Sequence, residues 1–471
     1  MRTELLAIVP GILAWWIARR QSLEAAFLGV YLPVLLLIPE SYRLPINGLP
    51  DPNFNQAAIL PIGLAVCWKA LFRKEWNWSI LDLFVGSYLL LQFVSDFYNV
   101  GLVDAQNLAF DILTLAVLPY VCGKALIEQG GLRVRFAKRF VWLLFVVSII
   151  SSWEFRFGSS VFPPIFEPLF PGQESGWFTQ IRWGVGRISG PYGHAILMGG
   201  ILAIALLLWM WLYRSEMWER NFKVLGEVYF TKAQILAFVL VVGLGMTLSR
   251  GPWLGGICGL ILASAGASGN VRAAFGRNLL LLVLVAAGVY AGGKAYLAAT
   301  PEATKAVHTG MSSSEVSEVD QSTAYRAELY DKYLEVVLER PWLGWGRANW
   351  PTVTGMSSID NNYLFIGLNT GLIGVVIFIL TIFWACLRLM LSGFSAQNFE
   401  PSERLFHFTL LGVLVSIAVT TISVFMGSQL YPLLFLFLGW SDACSIQQQA
   451  RTEALRIETE SPEYEYMGVV V

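Results

Sequence analysis

Charge is what this chain has least of. Only 14% of its 471 residues are Asp, Glu, Lys or Arg, where a soluble domain carries roughly a quarter. That shortage excludes an ordinary water-soluble globule. A net charge of −1 with no basic block argues against a nucleic-acid partner. Cysteine is also sparse: Cys67, Cys122, Cys258, Cys386 and Cys444 stand singly, with no CxxC pair and no framework spacing. They read as small core residues. The three histidines, His194, His308 and His407, lie far apart with no ligand-spaced Cys, Asp or Glu beside them. No metal site is expected, and no cofactor.

What the chain has in abundance is apolar length. Hydrophobic residues make up 56% of it and the mean hydropathy is +0.58. Runs such as "ILMGGILAIALLLWMWLY" approach the 20 or so residues that cross a bilayer as a helix. The expected class is an all-α polytopic membrane protein with about 12–13 spans. These lie near 4–18, 22–39, 57–72, 78–98, 107–127, 140–157, 190–213, 233–249, 252–268, 278–299, 361–390, 405–425 and 428–441. The first is short for a crossing, and with no small-residue cleavage site behind it, it reads as a retained helix.

Basic residues alternate from loop to loop. "ARRQ", "FRKEW", "LRVRFAKR", "YRSEMWERNFK" and "NVRAAFGR" belong to one set, while "VDAQ" has no base. Basic loops stay in the cytoplasm, so two large loops, 158–189 and 300–360, are expected to face outward. The organisation is then 1–157 spans, 158–189 loop, 190–299 spans, 300–360 loop, 361–441 spans and a mobile cytoplasmic tail over 442–471. Residues 300–321 are polar and read as a flap. Residues 322–340 read as an amphipathic helix with Leu329, Tyr330, Tyr333, Val336 and Val337 on its apolar face.

Outward loops should be poor in arginine, yet Arg187, Arg250 and Arg326 occupy them. Arg250 sits in "GMTLSRGPWLGG", a minimal turn between two spans. It reads either as a snorkelling helix-end cation or as a fixed guanidinium for a phosphate. Arg326 falls on the apolar face of the amphipathic helix, in the first turn, where the helix dipole disfavours a cation. A pair with one of the nearby acids is its structural alternative. Arg187, in "GRISGPYGHAILMGG", reads as an interfacial anchor or a ligand contact. His194, close by, reads first as a structural hydrogen-bonder. In "SSIDNNYLFIGLNTGLIG", Asp360 is placed to cap the next span or to act as a general base. The series Gly367, Gly371 and Gly374 would let neighbouring spans approach closely.

Taken together, "TLSRG", "YRAELYDKYLEVVLERPWLGWG" and "DNNYLFIGLNTGLIG", with "GRISGPYGHAILMGG" as a weaker fourth match, resemble the O-antigen ligase and polymerase superfamily. Its members move lipid-linked glycans at the outer face of the bacterial plasma membrane. Family ligases show a histidine, a small amide or hydroxyl residue, nine residues, then Gly-x-x-Gly. Here Asp360 and Asn361 are followed by Asn362 to Thr370, then Gly371 and Gly374. The spacing is kept while aspartate replaces histidine, which leans the reading toward a polymerase.

The resemblance implies a membrane glycosyltransferase using an undecaprenyl-diphosphate-linked glycan donor and a glycan or lipid-linked acceptor, without a metal. Asp360 would be the base, Arg250 and Arg326 would hold the diphosphate, and Arg187, Asn361 and Tyr325 would contact substrate. Inversion at the anomeric carbon is expected. A chain-length regulator or export protein is the partner such an enzyme would call for. Two rivals stand beside it: a ligase to lipid A core or another surface acceptor, and a flippase or secondary transporter. The transporter reading rests on Asp82, Asp96 and Asp111, within or near spans, where capping or inter-helix bonding is the alternative.

Overall fold

The computed structural model describes residues 3–72, 76–128, 131–173, 178–219, 231–299, 318–347, 349–354, 356, 358–396, 400–427 and 429–460. A helix stands at each expected span. In chain order these are α1 (Val9–Arg20), α2 (Leu23–Leu37), α3 (Phe54–Phe72), α4 (Ile80–Val100), α5 (Ala105–Ile127), α6 (Arg133–Phe157) and α7 (Ala195–Arg214). There follow α8 (Lys232–Met246), α9 (Arg250–Ser264), α10 (Val271–Ala299), the amphipathic α11 (Glu318–Glu339), α12 (Asn362–Ser395), α13 (Pro401–Thr420) and α14 (Leu430–Glu460). Most of the flap expected at 300–321 lies outside the described residues.

The protein is an all-α polytopic membrane protein. Six of its described helices are long and apolar enough to cross a membrane, fewer than the 12–13 spans expected, and α2 and α8 are shorter apolar helices. The difference has physical causes. α1 has 12 residues and α9 has 15, short for a full crossing at 1.5 Å per residue, and α6 carries arginines and Glu154 along its length. The tail also differs from expectation. α14 runs on past Ser441 to Glu460, with Cys444, Ser445 and Gln448 buried against the bundle.

α7 is apolar all round and buried along nearly its whole length, so it is the central post of the bundle. Beside it α9 and α13 make the closest helix contact. A Cβ on Gly259 would stand 2.6 Å from the Gly412 carbonyl oxygen, one on Gly412 would stand 2.5 Å from that of Gly259, and Gly255 meets the Ser416 carbonyl at 2.7 Å. Small residues let backbones touch where burial of apolar surface gives no net drive in lipid.

One end of the bundle is tied by paired charges. Lys124 on α5 sits 2.7 Å from both Asp82 on α4 and Asp442 on α14, all three buried. Asp82 also closes a capping box with Ser79. Arg133 pairs with Glu128 and, at 2.8 Å, with Glu403, while Trp440 Nε1 donates to Glu128.

At the opposite end α12 is broken. Gly371 takes φ 70° and ψ −173°, splitting the helix after nine residues. The freed backbone groups are satisfied by the turn that follows α11: the Leu372 amide donates to Pro341 O at 2.7 Å and the Trp345 amide to Leu368 O at 2.7 Å. The Gly346 amide donates to Asn369 O at 3.1 Å, and Ser95 Oγ also reaches that carbonyl, at 2.6 Å. Non-helical backbone at membrane depth is tolerated where protein supplies such partners. Gly371 and Gly344 both have positive φ and face each other's chain segments closer than any Cβ would allow. The glycine series therefore does not serve span-to-span approach as expected: Gly371 makes the break, and Gly367 meets Val337 of α11 at 3.2 Å.

Candidate active site

The site forms where the α11 helix, the start of α12, the α8–α9 turn and the loop before α7 meet. Its scaffold begins with Glu154 near the end of α6. That buried carboxylate accepts from Thr179 Oγ1 at 2.8 Å, from Ser189 Oγ at 2.7 Å, and from the amides of Ser189 and Gly190 at 2.8 and 3.1 Å. It thereby seats the loop that includes a small hairpin, Ile181–Arg182 paired with Val185–Gly186. Trp183 and Gly184 make its two-residue turn, both with positive φ, as the twist of a tight hairpin requires.

The two arginines flanking this hairpin clamp the α8–α9 turn. Arg187 Nε donates to Thr247 O at 3.1 Å, its Nη2 to Ser249 Oγ at 2.7 Å and its Nη1 to Gln180. Arg182 Nη1 donates to Leu248 O at 2.7 Å. Leu248 itself sits at φ 48°, a conformation that costs a leucine about 1–3 kcal/mol and persists only when its surroundings enforce it. The clamp supplies that enforcement. Its product is Arg250, exposed at the first turn of α9, where free helix amides add positive potential. Arg187 thus spends its guanidinium on the turn, although the sequence placed it among the substrate contacts.

Arg326 is presented by α11. Leu329, Tyr333, Val336 and Val337 pack with Met356, Ile359, Leu364 and Leu368 into a separate small core, which holds α11 against the first half of α12. Tyr330, expected on that face, is exposed. Glu328 ion-pairs with Lys332, and the Arg326 Nε is buried with no hydrogen-bond partner among the described residues. Burial pushes the Arg326 guanidinium below its usual range, Asp360 opposes that shift, and Arg182 and Arg250 add to it. An orphaned buried donor costs about 1–3 kcal/mol, which a bound acceptor would recover.

Asp360 does not cap α12. Asn361 does, its Oδ1 accepting from the amides of Tyr363 and Leu364 at 2.9 and 3.1 Å. That leaves Asn361 its side-chain amide for any substrate contact. Asp360 accepts from Ser358 Oγ at 2.7 Å. Tyr325 on α11 donates to Ser358 O at 2.8 Å, which fastens the Asp360 loop to the helix carrying Arg326.

The charges feel one another. Arg187 is pulled down to about 10 by burial, then by Arg182 and Arg326, against the pull of Asp360. His194 is pulled down to about 4 by burial and by Arg187 and Arg326, again against Asp360. Its Nδ1 accepts from the Ile196 amide as the cap of α7, so in the neutral ring Nε2 carries the proton. A histidine held this way donates a hydrogen bond and is a poor base. Such mutual influence places Arg182, Arg187, His194, Arg326 and Asp360 in one electrostatic neighbourhood, with Arg250 joined to it through Arg326.

Arg182 and Glu154 were missed in the sequence. The rule that singled out Arg187 applies equally to Arg182, five residues earlier. Glu154 was visible as an acid inside an apolar run. The transporter acids find ordinary partners as well: Asp82 as above, and Asp111 with Arg347 at 2.8 Å and Gln56 at 2.8 Å.

Residues 235–379 match the family model described as O-antigen ligase. That stretch of the chain is similar to the O-antigen ligase family. It spans the Arg250 turn, the Arg326 helix, Asp360 and the break at Gly371, while Arg182 and Arg187 lie before it. No curated protein matches the chain. The match supports a function of the O-antigen ligase or polymerase type in general, in a multi-pass membrane protein.

Proposed function

We propose that the protein transfers a glycan from undecaprenyl diphosphate to an acceptor sugar hydroxyl, as a polymerase of O-antigen or exopolysaccharide. The observation that carries this reading is the Arg326 Nε, buried with no partner among the described residues, near Asp360 and like charges. Like-charged guanidinium groups repel unless an anion joins them, and planar guanidinium forks suit diphosphate oxygens.

In the proposed step the acceptor oxygen attacks the anomeric carbon from the face opposite the diphosphate. The new C–O bond forms as the bond to the diphosphate oxygen breaks, and that oxygen keeps the electron pair. Arg250 and Arg326 stabilise the growing negative charge, taking the part a metal plays elsewhere. Asp360 accepts the acceptor's proton. Carboxylate bases of this kind serve inverting glycosyl chemistry, so the product anomer is inverted. Arg182 and Arg187 act indirectly, by holding the turn that aims Arg250. The loop-charge pattern supports an outward-facing site, and the family resemblance supports the bacterial plasma membrane as its place.

Aspartate in place of the ligases' histidine favours a polymerase over a ligase to lipid A core or another surface acceptor. The test is substitution in the native host. With Arg326→Ala or Asp360→Asn, expressed normally, polymer should fall about 100- to 1,000-fold, the usual loss when one group stabilising a developing anion is removed. Single repeat units should remain displayed. Accumulated lipid-linked polymer without attachment would show a ligase, and normal polymer from either variant would refute the site.

A further inference from the structure

Beside the arginine cluster lies a cavity of about 440 Å³, within the ~300–1,000 Å³ typical of small-ligand sites. Its wall has the opposite electrostatic character. Glu40, Asp96 and Asp111 line it against one cation, Arg347. The rest divides into amide and hydroxyl groups, with Gln92, Asn369 and Tyr431, an aromatic side with Phe365 and Phe425, and an aliphatic stretch with Leu108, Ile112 and Leu115. Several polar groups are pre-set: Arg347 is held by Asp111 at 2.8 Å, and Tyr431 donates to Gln92 at 3.1 Å. The Asn369 Oδ1 is buried with no partner among the described residues.

The cavity borders the proposed reaction centre. His194 lines it while lying within the influence of Arg187 and Arg326. Phe365, Asn369 and Thr370 belong to the half-helix that begins immediately after Asp360.

We propose that this cavity holds an uncharged pyranose unit of the glycan. The inference rests on the glycan-transfer reading above and deepens it by assigning the sugar a place apart from the diphosphate. Three carboxylates against one guanidinium disfavour an anion, so neither the diphosphate nor a uronic acid suits it. A lipid chain offers no donor to the Asn369 Oδ1, buried with no partner among the described residues, and leaving it so is costly. A pyranose has carbon faces for Phe365 and Phe425 and hydroxyls for the amides and carboxylates.

The test uses the full chain in lipid nanodiscs and saturation-transfer NMR. The probes are the methyl glycosides of glucose, N-acetylglucosamine and glucuronic acid, with farnesyl diphosphate as a separate probe of the arginines. The variants are Leu108→Trp, which fills the cavity, and Gln92→Ala, which removes a polar wall group with less risk to folding. At least one neutral glycoside should bind wild type, and at least tenfold more weakly to both variants. The glucuronide should bind at least tenfold more weakly than that neutral glycoside. Farnesyl diphosphate should bind both variants as it binds wild type, and lose affinity in Arg326→Ala. A glycoside displaced by lipid-linked donor marks the donor's sugar, and one that binds alongside it marks the acceptor's. Absence of neutral-glycoside binding to wild type, unchanged binding in the two variants, or equal binding of the glucuronide would overturn the proposal. Farnesyl diphosphate binding that ignores Arg326→Ala would refute the diphosphate site alone.

Discussion

The two ends of this bundle handle charge in opposite ways. At one end Lys124 lies between Asp82 and Asp442, and Arg133 between Glu128 and Glu403, each cation matched by acids within ion-pair distance. At the other, burial and neighbouring arginines pull Arg187 and Arg326 down, and Asp360 opposes both shifts. The first arrangement is complete by itself and fixes helices to each other. In the second the Arg326 Nε has no partner among the described residues, and the proposed diphosphate would supply one. The Arg326 Nε is buried as Lys124 is, so burial alone would not separate structural from functional charge; the balance of partners does.

The comparison can be broken by removing one group from each end. Arg326→Ala should abolish nearly all polymer while leaving thermal stability in detergent unchanged or raised, because an orphaned donor and a like charge both disappear. Lys124→Met should do the reverse. It leaves two buried carboxylates uncompensated, at about 3–5 kcal/mol, and should reduce folded protein measured by thermal unfolding. Adding Asp82→Asn and Asp442→Asn to that variant should restore much of the loss.

A smaller effect is expected from pH. His194 has its folded-state value pulled down to about 4 from an ordinary 6.5. Between those values the unfolded chain binds the proton and the folded chain does not. Stability contributed by the neutral ring is therefore full above about pH 6.5 and declines as pH falls toward 4. In His194→Asn, which keeps a cap acceptor, the fall in unfolding temperature over that window should be shallower. The smallest contrast compares glycines. Gly371→Ala combines a positive φ with a Cβ 2.5 Å from Pro341 O and should impair both stability and polymer. Gly276→Ala, in an open stretch of α10, should be neutral or stabilising by up to about 1 kcal/mol.

Much of the architecture was legible because a bilayer imposes a length on apolar runs, and the bounds of α7 and α13 could be read to within about five residues. The amphipathic helix was legible too, since Leu329, Tyr333 and Val337 keep helical spacing. What escaped was three-dimensional partnership. Nothing in "DNNYLF" says whether Asp360 or Asn361 caps the helix, because both are good caps and only backbone geometry chooses. Gly371 looked like its neighbours Gly367 and Gly374, since a pattern of small residues does not reveal which one takes positive φ. Arg187 and Arg250 looked alike as outward cations, yet one holds the other's turn.

The break in α12 also has a mechanical consequence. Main-chain hydrogen bonds weld the Pro341–Gly346 turn to the fracture, so the Arg326 helix and the Asp360 loop travel together as one plate. Arg250 is braced from a different plate, through the hairpin seated on Glu154. Under the reading proposed above, a diphosphate held by Arg250 and Arg326 would bridge the two plates and brace one against the other.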